Sequence, residues 1–427
     1  MYICGLGASG EAVARLARQK GANVVLVDRG DSPELRRRAK ALESEGVAVE
    51  LGCSLAEPGD AEWCVVSPGI ARDSEWLSVG RVPLVSTLEY AWHFVECPVV
   101  AVTGSNGKST FLKLCADALT QAGQRVVIAG NYGRPLADVI LAGDEWDRIL
   151  LEVSSFQLET MNAFRPEVGV WLNLLPNHLD RHRTLEVYAG LKASMFARQG
   201  VGDVAIVGED LCGQIEGART FGVRPDSDFR ISDGFVQGPD VSLDLSGTLF
   251  ESGVLSRAAT GVAAVLGACG VGLDHLRSAA EQFEPLPHRL AVAGKVGDVT
   301  FINDSKATNL AALAAAVDLQ ASPVRLIAGG ILKEKNLESI KELLAKHVAS
   351  VYLIGEAAEE LAQAWGDLLR CTQSHRLEQA VSEAWRESDP GDVVLFSPGC
   401  ASFDQFASFA DRGNAFLECV RALKKEK

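Results

Sequence analysis

Two glycine-rich loops in this chain of 427 residues have the composition of phosphate-binding sites. The second loop, VTGSNGKST at residues 102–110, contains the Gly-Lys-Ser ending of a P-loop. In such a loop, backbone N–H groups cradle phosphate, the lysine neutralises the terminal phosphate, and the serine hydroxyl can bind Mg²⁺. Val102 stands where the usual spacing needs a glycine, but an apolar run precedes the loop and a helical pattern follows it. We therefore predict a triphosphate and Mg²⁺ site at Gly107, Lys108 and Ser109.

The first loop, GLGASG at residues 5–10, has the full G-x-G-x-x-G spacing. Its glycines allow a tight turn and a close approach of the backbone to a phosphate in front of a helix N-terminus. Asp28 ends the next predicted strand, where an acid could bind ribose hydroxyls. Three interpretations fit this pattern: a dinucleotide site, a site for the diphosphate of a nucleotide sugar, and a tight turn without a ligand.

Two further candidate residues follow predicted strands in the middle of the chain. Glu152 lies at the end of the apolar run RILLEV, and His178 lies in NLLPNHLDRH, a few residues after the next run. The carboxyl ends of parallel strands meet at one edge of a sheet, so both residues are expected near the second loop. A carboxylate there suits Mg²⁺. The alternatives are a solvent-exposed acid and an incidental histidine.

The composition indicates a globular protein with an acidic surface. The chain is 47% hydrophobic and has a formal net charge of −15, which argues against nucleic acid as the main partner. No apolar run reaches the ~18 residues that a membrane span needs, and the N-terminus lacks the features of a signal peptide. We therefore expect a cytoplasmic protein without a membrane partner. The ten cysteines form no C-x-x-C pair and are predicted to be free thiols.

Short apolar strands alternate with helical segments along most of the chain, a pattern that predicts parallel sheets and an α/β fold. A Gly- and Asp-rich stretch from Asp203 to about Leu255 interrupts this pattern and is predicted to be a β excursion. The prolines of EPLPHR, at residues 284–289, suit a linker. We predict three domains, at residues 1–92, 93–289 and 290–427.

Three motifs together resemble the Mur ligase family of ATP-dependent, amide-forming enzymes of peptidoglycan precursor synthesis. They are TGSNGKST, EVSSFQLE and NHLDRH. NDSKATN at residues 303–309 and SPGCASFDQF at residues 397–406 resemble the member that adds D-glutamate. The resemblance spans the chain. It implies a Rossmann-like N-terminal domain that holds the UDP of a sugar substrate, a central P-loop-type ATPase domain with a mostly parallel sheet, and a C-terminal Rossmann-like α/β domain. The two loops then serve two phosphate-bearing ligands and no redox cofactor.

The activity implied by the resemblance begins with transfer of the γ-phosphate of ATP to the alanyl carboxylate of UDP-N-acetylmuramoyl-L-alanine. The amine of D-glutamate then attacks the resulting acyl phosphate, and phosphate leaves. The implied cofactors are ATP and Mg²⁺, with two ions and with Lys192 in YAGLKASMF as a carbamate. The expected partners are the two substrates alone, and the expected state is a monomer.

The resemblance also implies a role for individual residues. The catalytic set is Lys108, Glu152, His178, Lys192 and Lys306. The metal set is Ser109, Glu152, His178 and Lys192. Contacts with the nucleotide are implied for Gly104, Ser105, Asn106, Gly107, Lys108, Ser109, Thr110, Arg289 and Asp304. Contacts with the sugar nucleotide are implied for Gly7, Asp28, Arg29, Gly69 and Asn131. Contacts with D-glutamate are implied for Thr308, Lys333, Ser402 and Phe409.

Several alternatives remain open from sequence. Lys335 competes with Lys333, because the family usually has an acid just before this lysine and the chain has Leu332 there. Lys192 could be an ordinary helix-face lysine, Phe409 a core aromatic and Ser402 a helix N-cap. The rival functions are another amino-acid ligase of the family, an NAD-dependent dehydrogenase built on the first loop and Asp28, and an inactive binding protein.

Overall fold

A computed structural model of the chain describes residues 1–239 and 241–425. The chain divides into two compact units, of which the first is Met1–Phe283 and the second begins at Glu284. Within the described residues three sheets form, one in each of the three predicted segments of the chain, and most of their strand pairs are parallel. The predicted α/β class is therefore confirmed, while the domain boundaries at residues 92 and 289 stay predictions.

The first sheet of the first unit has the strand order β3-β2-β1-β4-β5, and its strands are parallel. This is the order of a doubly wound α/β fold, whose ligands bind where the order reverses beside β1. The strands are β1 (Tyr2–Cys4), β2 (Val25–Asp28), β3 (Ala48–Leu51), β4 (Cys64–Val66) and β5 (Leu84–Ser86). The helices are α1 (Ala8–Gln19), α2 (Pro33–Ser44) and α3 (Thr87–Trp92).

The second sheet of the first unit has the order β14-β13-β12-β11-β10-β9-β6-β8-β7. The strands are β6 (Val99–Thr103), β7 (Val126–Gly130), β8 (Arg148–Glu152), β9 (Val168–Trp171), β10 (Val204–Gly208), β11 (Arg219–Gly222), β12 (Phe229–Ser232), β13 (Phe235–Gly238) and β14 (Val241–Asp244). The antiparallel pairs β12/β13 and β13/β14 confirm the predicted β excursion.

The helices of this part of the unit cover both faces of the second sheet. They are α4 (Lys108–Gln121), α5 (Leu136–Ala142), α6 (Ser155–Leu158), α7 (Leu179–His182), α8 (Leu185–Ala193), α9 (Gly253–Ala268) and α10 (Asp274–Glu281), with 3-10 turns at Ser194–Phe196 and Glu209–Leu211. Val100 and Val102 of β6 pack in one apolar cluster, and Val99 and Ala101 pack in another. Because both faces are buried, β6 reads as an uninterrupted apolar run.

The sheet of the second unit has the order β15-β16-β20-β17-β18-β19, with β15 antiparallel to β16 and the other pairs parallel. The strands are β15 (Ala291–Val296), β16 (Val299–Asn303), β17 (Val324–Gly329), β18 (Val348–Ile354), β19 (Cys371–His375) and β20 (Val393–Phe396). The helices are α11 (Leu310–Asp318), α12 (Lys341–His347), α13 (Ala358–Trp365), α14 (Leu377–Arg386) and α15 (Phe409–Lys425), with a 3-10 turn at Leu337–Ile340.

Two general predictions can be compared with the structure. All ten cysteines are free, as predicted. Among the helices of residues 1–239 and 241–425, none combines the length and apolar character that crossing a bilayer requires.

Candidate active site

The second glycine-rich loop connects β6 to α4 and has the backbone of a phosphate cradle. Gly104 and Gly107 adopt φ values of 151° and 85°, which only glycine adopts readily, and Gly107 is the N-cap of α4. A Cβ atom on Gly104 would lie 3.0 Å from the Cβ of Leu172. The helix begins at Lys108, so Lys108, Ser109 and Thr110 lie in its first turn. Backbone N–H groups at this helix N-terminus are suited to an anion.

Asn173, which follows β9, holds the loop in shape. Its Oδ1 accepts hydrogen bonds from the backbone N–H groups of Ser105 and Asn106, both at 3.0 Å, and its Nδ2 donates to the carbonyl of Asn106 at 3.1 Å. The Ser105 hydroxyl also bonds both backbone groups of Leu175, donating to the carbonyl at 3.0 Å. Asn173 was not identified from sequence, although a polar residue just after a strand at this sheet edge is a usable signal.

The Lys108 side chain folds back over the loop. Its Nζ donates to the carbonyl oxygens of Gly104 at 2.7 Å and Ser105 at 3.1 Å. These acceptors are neutral, and a bound phosphate would offer charged acceptors at the same face of the loop. Lys108 is thus placed as the predicted phosphate ligand requires, although its role stays a prediction.

Glu152 joins the loop to two neighbouring elements. Its carboxylate is 3% exposed and accepts hydrogen bonds from the Ser109 hydroxyl at 2.6 Å and from Nδ2 of Asn131 at 2.7 Å. The pairing of β8 with β6 and β7 places Glu152 beside Val102 and Gly130, so all three groups meet at one sheet edge. A carboxylate and a hydroxyl are hard oxygen donors, so Ser109 and Glu152 fit Mg²⁺.

Lys192, on α8, lies beneath the same site. The residue is 1% exposed, and its Nζ lies 3.4 Å from Oγ1 of Thr103 and 4.3 Å from the centre of the Tyr188 ring. Burial, and secondarily the charge of Lys108, holds the pKa of Lys192 well below its usual value. The alternative of an ordinary helix-face lysine is therefore wrong. A lowered pKa enriches the neutral amine, which is the form that reacts with CO₂.

His178 is the N-cap of α7, with φ of 57°, and its ring packs edge-on against Phe156 at 4.8 Å. His182, one turn later, was not identified from sequence. It is buried, stacks on Tyr188, and shares a 2.9 Å hydrogen bond between Nε2 and the Ser155 hydroxyl. No group of three or more His, Cys, Asp or Glu side chains within the described residues could hold a metal ion. A second ion at His178 and Lys192 would therefore need oxygen ligands from a carbamate or a substrate, and it stays a prediction.

The first glycine-rich loop connects β1 to α1. Gly5 has φ of 100°, and a Cβ atom there would lie 2.8 Å from the Ser67 hydroxyl, so this turn requires glycine. Gly7 is the N-cap of α1, and a Cβ atom on Gly7 would meet nothing within 4 Å. The helix N-terminus behind Gly7 therefore faces open space, as an anion site requires.

Asp28 has a role that sequence analysis did not foresee. Its two carboxylate oxygens accept hydrogen bonds at 2.7 Å from the backbone N–H groups of Leu6 and Gly30. The acid that a dinucleotide site would direct at ribose hydroxyls therefore fixes the first loop to the end of β2. Arg29 donates to the Ser74 hydroxyl at 3.1 Å and lies over the Trp76 ring, 5.2 Å from its centre.

Arg181, on α7, ties the turn after β4 to the second sheet. It forms a bidentate ion pair with Glu159, at 2.9 and 2.6 Å, and donates to the carbonyl of Ile70 at 3.0 Å and, more weakly, to that of Gly69 at 3.5 Å. The predicted sugar-nucleotide residue Gly69 thereby contacts α7, the helix whose N-cap is His178. The arginine of the NHLDRH motif was not identified from sequence.

In the second unit, a buried carboxylate lies at the end of β16. Asp304 accepts hydrogen bonds from the backbone N–H of Leu290 at 3.2 Å and from the Ser397 hydroxyl at 2.8 Å. Burial raises the pKa of Asp304 to about 7, and the hydrogen bonds from Ser397 and Leu290 and the charge of Arg289 partly oppose this rise. The two predicted nucleotide residues of this unit are therefore close together.

Replacement of Asp304 by asparagine is expected to weaken the pH dependence of stability. The folded-state pKa is raised, so this contribution to stability is largest at low pH and is lost as pH rises through about 7. Between pH 5 and 8 the wild-type free energy of unfolding should fall by about 2–3 kcal/mol more than that of D304N. Unfolding measured at intervals over this range checks the sign. The exposed control Asp298→Asn should behave as the wild type, and equal pH slopes for wild type and D304N would contradict the prediction.

The predicted acceptor residues lie on three loops and on α15. Nζ of Lys306 is 3.9 Å from the centre of the Phe409 ring, which is only partly buried, so Phe409 is not an ordinary core aromatic. Ser402 is buried, and no helix starts after it within the described residues until Phe409, so the N-cap alternative is wrong. Thr308 is partly buried, and the competing residues Lys333 and Lys335 are both exposed.

Two family models match the chain: the Mur ligase middle domain over residues 102–220, and the Mur ligase glutamate ligase domain over residues 288–400. The chain belongs to the Mur ligase family, as its motifs predicted. It is 36% identical to the UDP-N-acetylmuramoylalanine--D-glutamate ligase of Koribacter versatilis, over 100% of this chain and 98% of that protein. It is 39% identical to the protein of the same name from Desulfotalea psychrophila, over 99% and 96% of the two chains.

The fold is also similar to that of a solved structure. The chain superposes on the MurF ligase of Thermotoga maritima, solved in complex with ADP, with a TM-score of 0.67 over 95% of this chain and 96% of that chain. The sequence identity is 17%, so this similarity concerns the fold alone.

Proposed function

We propose that this protein is an ATP-dependent ligase that joins D-glutamate to UDP-N-acetylmuramoyl-L-alanine and releases ADP and phosphate. The observation that carries the proposal is the arrangement of Lys108, Ser109 and Glu152 at the phosphate loop, with Lys192 buried beneath it. It is supported by full-length relatives that bear the name of this ligase. The reaction belongs to peptidoglycan precursor synthesis. We assign it to the cytoplasm, where ATP is available and free thiols stay reduced.

The first step is phosphoryl transfer from ATP to a carboxylate. A carboxylate oxygen of the alanyl group attacks the γ-phosphorus, the bond to the β,γ-bridging oxygen breaks, and ADP leaves. Both reactants are anions, so the site must align them and screen their repulsion. The loop N–H groups and Lys108 hold the phosphates. Asn131, bonded to Glu152, is placed to orient the muramoyl substrate at the same sheet edge.

Ser109 and Glu152 are the residues that would hold Mg²⁺, which when bound neutralises charge on the transferring phosphate. His178 and Lys192 are proposed for the second ion, with Lys192 as a carbamate. In that form the side chain supplies two oxygens in place of an amine, which is the ligand type that Mg²⁺ prefers.

In the second step, the neutral amine of D-glutamate attacks the carbonyl carbon of the acyl phosphate. The bond from that carbon to the phosphate oxygen breaks, inorganic phosphate leaves, and the new amide nitrogen loses a proton. We assign the acceptor pocket to Thr308, Lys333, Ser402 and Phe409, with Lys306 beside the ring of Phe409. The charge of lysine and the hydroxyl groups suit the two carboxylates of the acceptor.

The sugar nucleotide is assigned to the first sheet. The open helix N-terminus at Gly7 is suited to its diphosphate, and Arg29 and Gly69 lie near the same edge of the sheet. Asp28 supports this site through the backbone of the first loop. We further propose that the chain works as a monomer, without nucleic acid or a membrane.

Carbon dioxide is expected to activate the enzyme through Lys192. Formation of a carbamate requires the neutral amine, which the lowered pKa of Lys192 favours. Removal of CO₂ and bicarbonate from the buffers should lower the rate of phosphate release, and their return should restore it. With ¹³C-labelled bicarbonate, the wild type and Lys113→Met should each show a carbamate resonance in the ¹³C spectrum, and Lys192→Met should show none. A CO₂-independent rate without that resonance would exclude the carbamate.

The proposed function is tested by phosphate release from ATP and Mg²⁺ with UDP-N-acetylmuramoyl-L-alanine, single amino acids being offered in turn. Release that requires both the sugar nucleotide and D-glutamate is the expected result. Release with a different amino acid would keep the ligase reaction and reject the acceptor. No release with any amino acid, combined with binding of NAD, would reject the proposal in favour of a dehydrogenase.

A further inference from the structure

Arg412, at the end of the first turn of α15, is a fully buried guanidinium. The residue is 1% exposed, and no Asp or Glu in the described part of the chain forms an ion pair with it. Its Nε donates to the Ser305 hydroxyl at 3.1 Å, and its Nη2 donates to the carbonyls of Ser305 at 2.8 Å and Cys400 at 3.0 Å. Burial lowers the pKa of Arg412 to about 10, which still leaves the group charged at neutral pH.

A buried charge without an ion pair is unfavourable, because neutral carbonyls replace only part of the lost hydration and the charge of Asp404 opposes the effect of burial only in part. The fork of a guanidinium nevertheless fixes the positions of several acceptors at once, which a point charge such as lysine cannot do. The segments that accept hydrogen bonds from Arg412 are therefore the segments whose relative positions it fixes.

The guanidinium lies over the ring of Phe396 at the end of β20, 5.9 Å from its centre, and its hydrogen-bond acceptors belong to loops of the acceptor region. Ser305 lies next to Lys306 on the loop that leads to Thr308. Cys400 lies two residues before Ser402. The third loop begins at Gly330, where a Cβ atom would lie 2.2 Å from the carbonyl of Ala401 and 3.1 Å from Nη1 of Arg412. That loop continues to Lys333.

The same helix also contacts Lys306, which follows Ser305 in the chain. Phe409, one turn before Arg412, places its ring under Nζ of Lys306, and its carbonyl accepts a hydrogen bond from the Ser305 hydroxyl at 2.8 Å. Ser305 thus links Phe409 and Arg412, and the start of α15 contacts every loop that carries a proposed acceptor residue. Nη1 of Arg412 has no hydrogen-bond partner within residues 1–239 and 241–425, so one donor group of the guanidinium is unused on the side of Gly330.

We propose that Arg412 is the positioning residue of the acceptor pocket: its guanidinium sets the spacing of the three loops that carry Lys306, Lys333 and Ser402. The inference rests on the proposed function, because it takes these residues to bind D-glutamate. The guanidinium also supplies a positive charge beneath a pocket whose ligand brings two carboxylates. Loss of Arg412 should therefore weaken binding of the acceptor more than binding of ATP or of the sugar nucleotide.

The test compares Arg412→Met and Arg412→Lys with the wild type by steady-state phosphate release. R412M should raise the KM for D-glutamate at least about tenfold, the factor that accompanies loss of a charged hydrogen bond, with the KM for ATP changed less than about twofold. R412K keeps the charge and loses the fork, and should lie between R412M and the wild type. A purely structural role would instead lower the yield of folded enzyme and kcat, with the KM for D-glutamate unchanged, and this result would overturn the proposal.

The matched control is Arg325→Met in the same sheet. Arg325 forms ion pairs with Asp392 at 2.8 Å and Asp389 at 3.5 Å, at the opposite end of β17 from Gly330. R325M should lower the unfolding temperature and leave the KM for D-glutamate unchanged. Free guanidinium ion is then added at concentrations below those that unfold the wild type. It should lower the raised KM of Arg412→Ala for D-glutamate and should not change the KM of R325M. The wild type is assayed in parallel, so failure of D-glutamate as its acceptor would reject the proposed function and remain distinguishable from failure of the role of Arg412.

Discussion

Replacement of Lys108 by methionine is expected to lower the rate of ATP-dependent phosphate release by about 10²- to 10³-fold, the usual effect of removing one donor to a transition-state oxyanion. The ammonium group lies over the phosphate loop, held by the carbonyls of Gly104 and Ser105. Methionine preserves most of the length and apolar surface of the side chain. The substitution therefore removes mainly the charge, and the fold of the loop should persist through Asn173.

The control for this prediction lies on the same helix. Lys113 forms an ion pair with Asp117 at 2.6 Å, and its Nζ lies 4.8 Å from the centre of the Phe283 ring, so it is engaged with side chains away from the loop. Lys113→Met should keep kcat within about twofold of the wild type, as is usual for a surface pair. Measurement of kcat and of the KM for ATP separates an effect of the Lys108 charge on the reaction from an effect on ATP binding. A kcat of wild-type size in K108M would show that Lys108 only binds ATP or has no role.

The parts of the site that could be predicted from sequence are those that depend on local geometry. Gly107, Lys108 and Ser109 are adjacent in the chain, and a strand-loop-helix pattern gives them their orientation. Glu152 could be located because parallel strands bring their carboxyl ends together, which the register of β8 with β6 bears out. Its partnership with Asn131 could not be foreseen, since that depends on how β7 pairs with β8.

The parts that could not be predicted depend on tertiary burial and on long-range hydrogen bonds. Lys192 lies in a short helix without a clear apolar stripe, so nothing local indicates that α8 turns this lysine inward. Arg412 donates a hydrogen bond to Ser305, which lies 107 positions earlier in the chain. The hydrogen bonds that Asp28 accepts from the backbone of the first loop could not be foreseen for a similar reason, and its contact with the sugar nucleotide stays a prediction.

Replacement of Glu152 by glutamine is expected to raise the Mg²⁺ concentration for half-maximal activity and to lower kcat. Loss of even an outer-shell partner of a metal costs about 10- to 100-fold, and loss of a charged ligand should cost at least as much. Glutamine retains the shape of the side chain. Its amide can still accept one hydrogen bond in the place where the carboxylate accepts from Ser109 and Asn131. Phosphate release measured across a Mg²⁺ titration gives both quantities.

The substitution separates two possible roles of Glu152. If the carboxylate served only to hold Ser109 and Asn131, then S109A and N131A would each reproduce the loss in E152Q with the Mg²⁺ dependence unchanged. If it binds the ion, then E152Q and S109A should both shift the Mg²⁺ titration, and N131A should instead raise the KM for the sugar nucleotide. Glu167→Gln is the control, because Glu167 pairs with Arg148 at the other end of the same strands. Within residues 1–239 and 241–425, the buried Glu152 carboxylate accepts hydrogen bonds from the side chains of Ser109 and Asn131, both neutral donors, and this is the physical reason to expect a cation there.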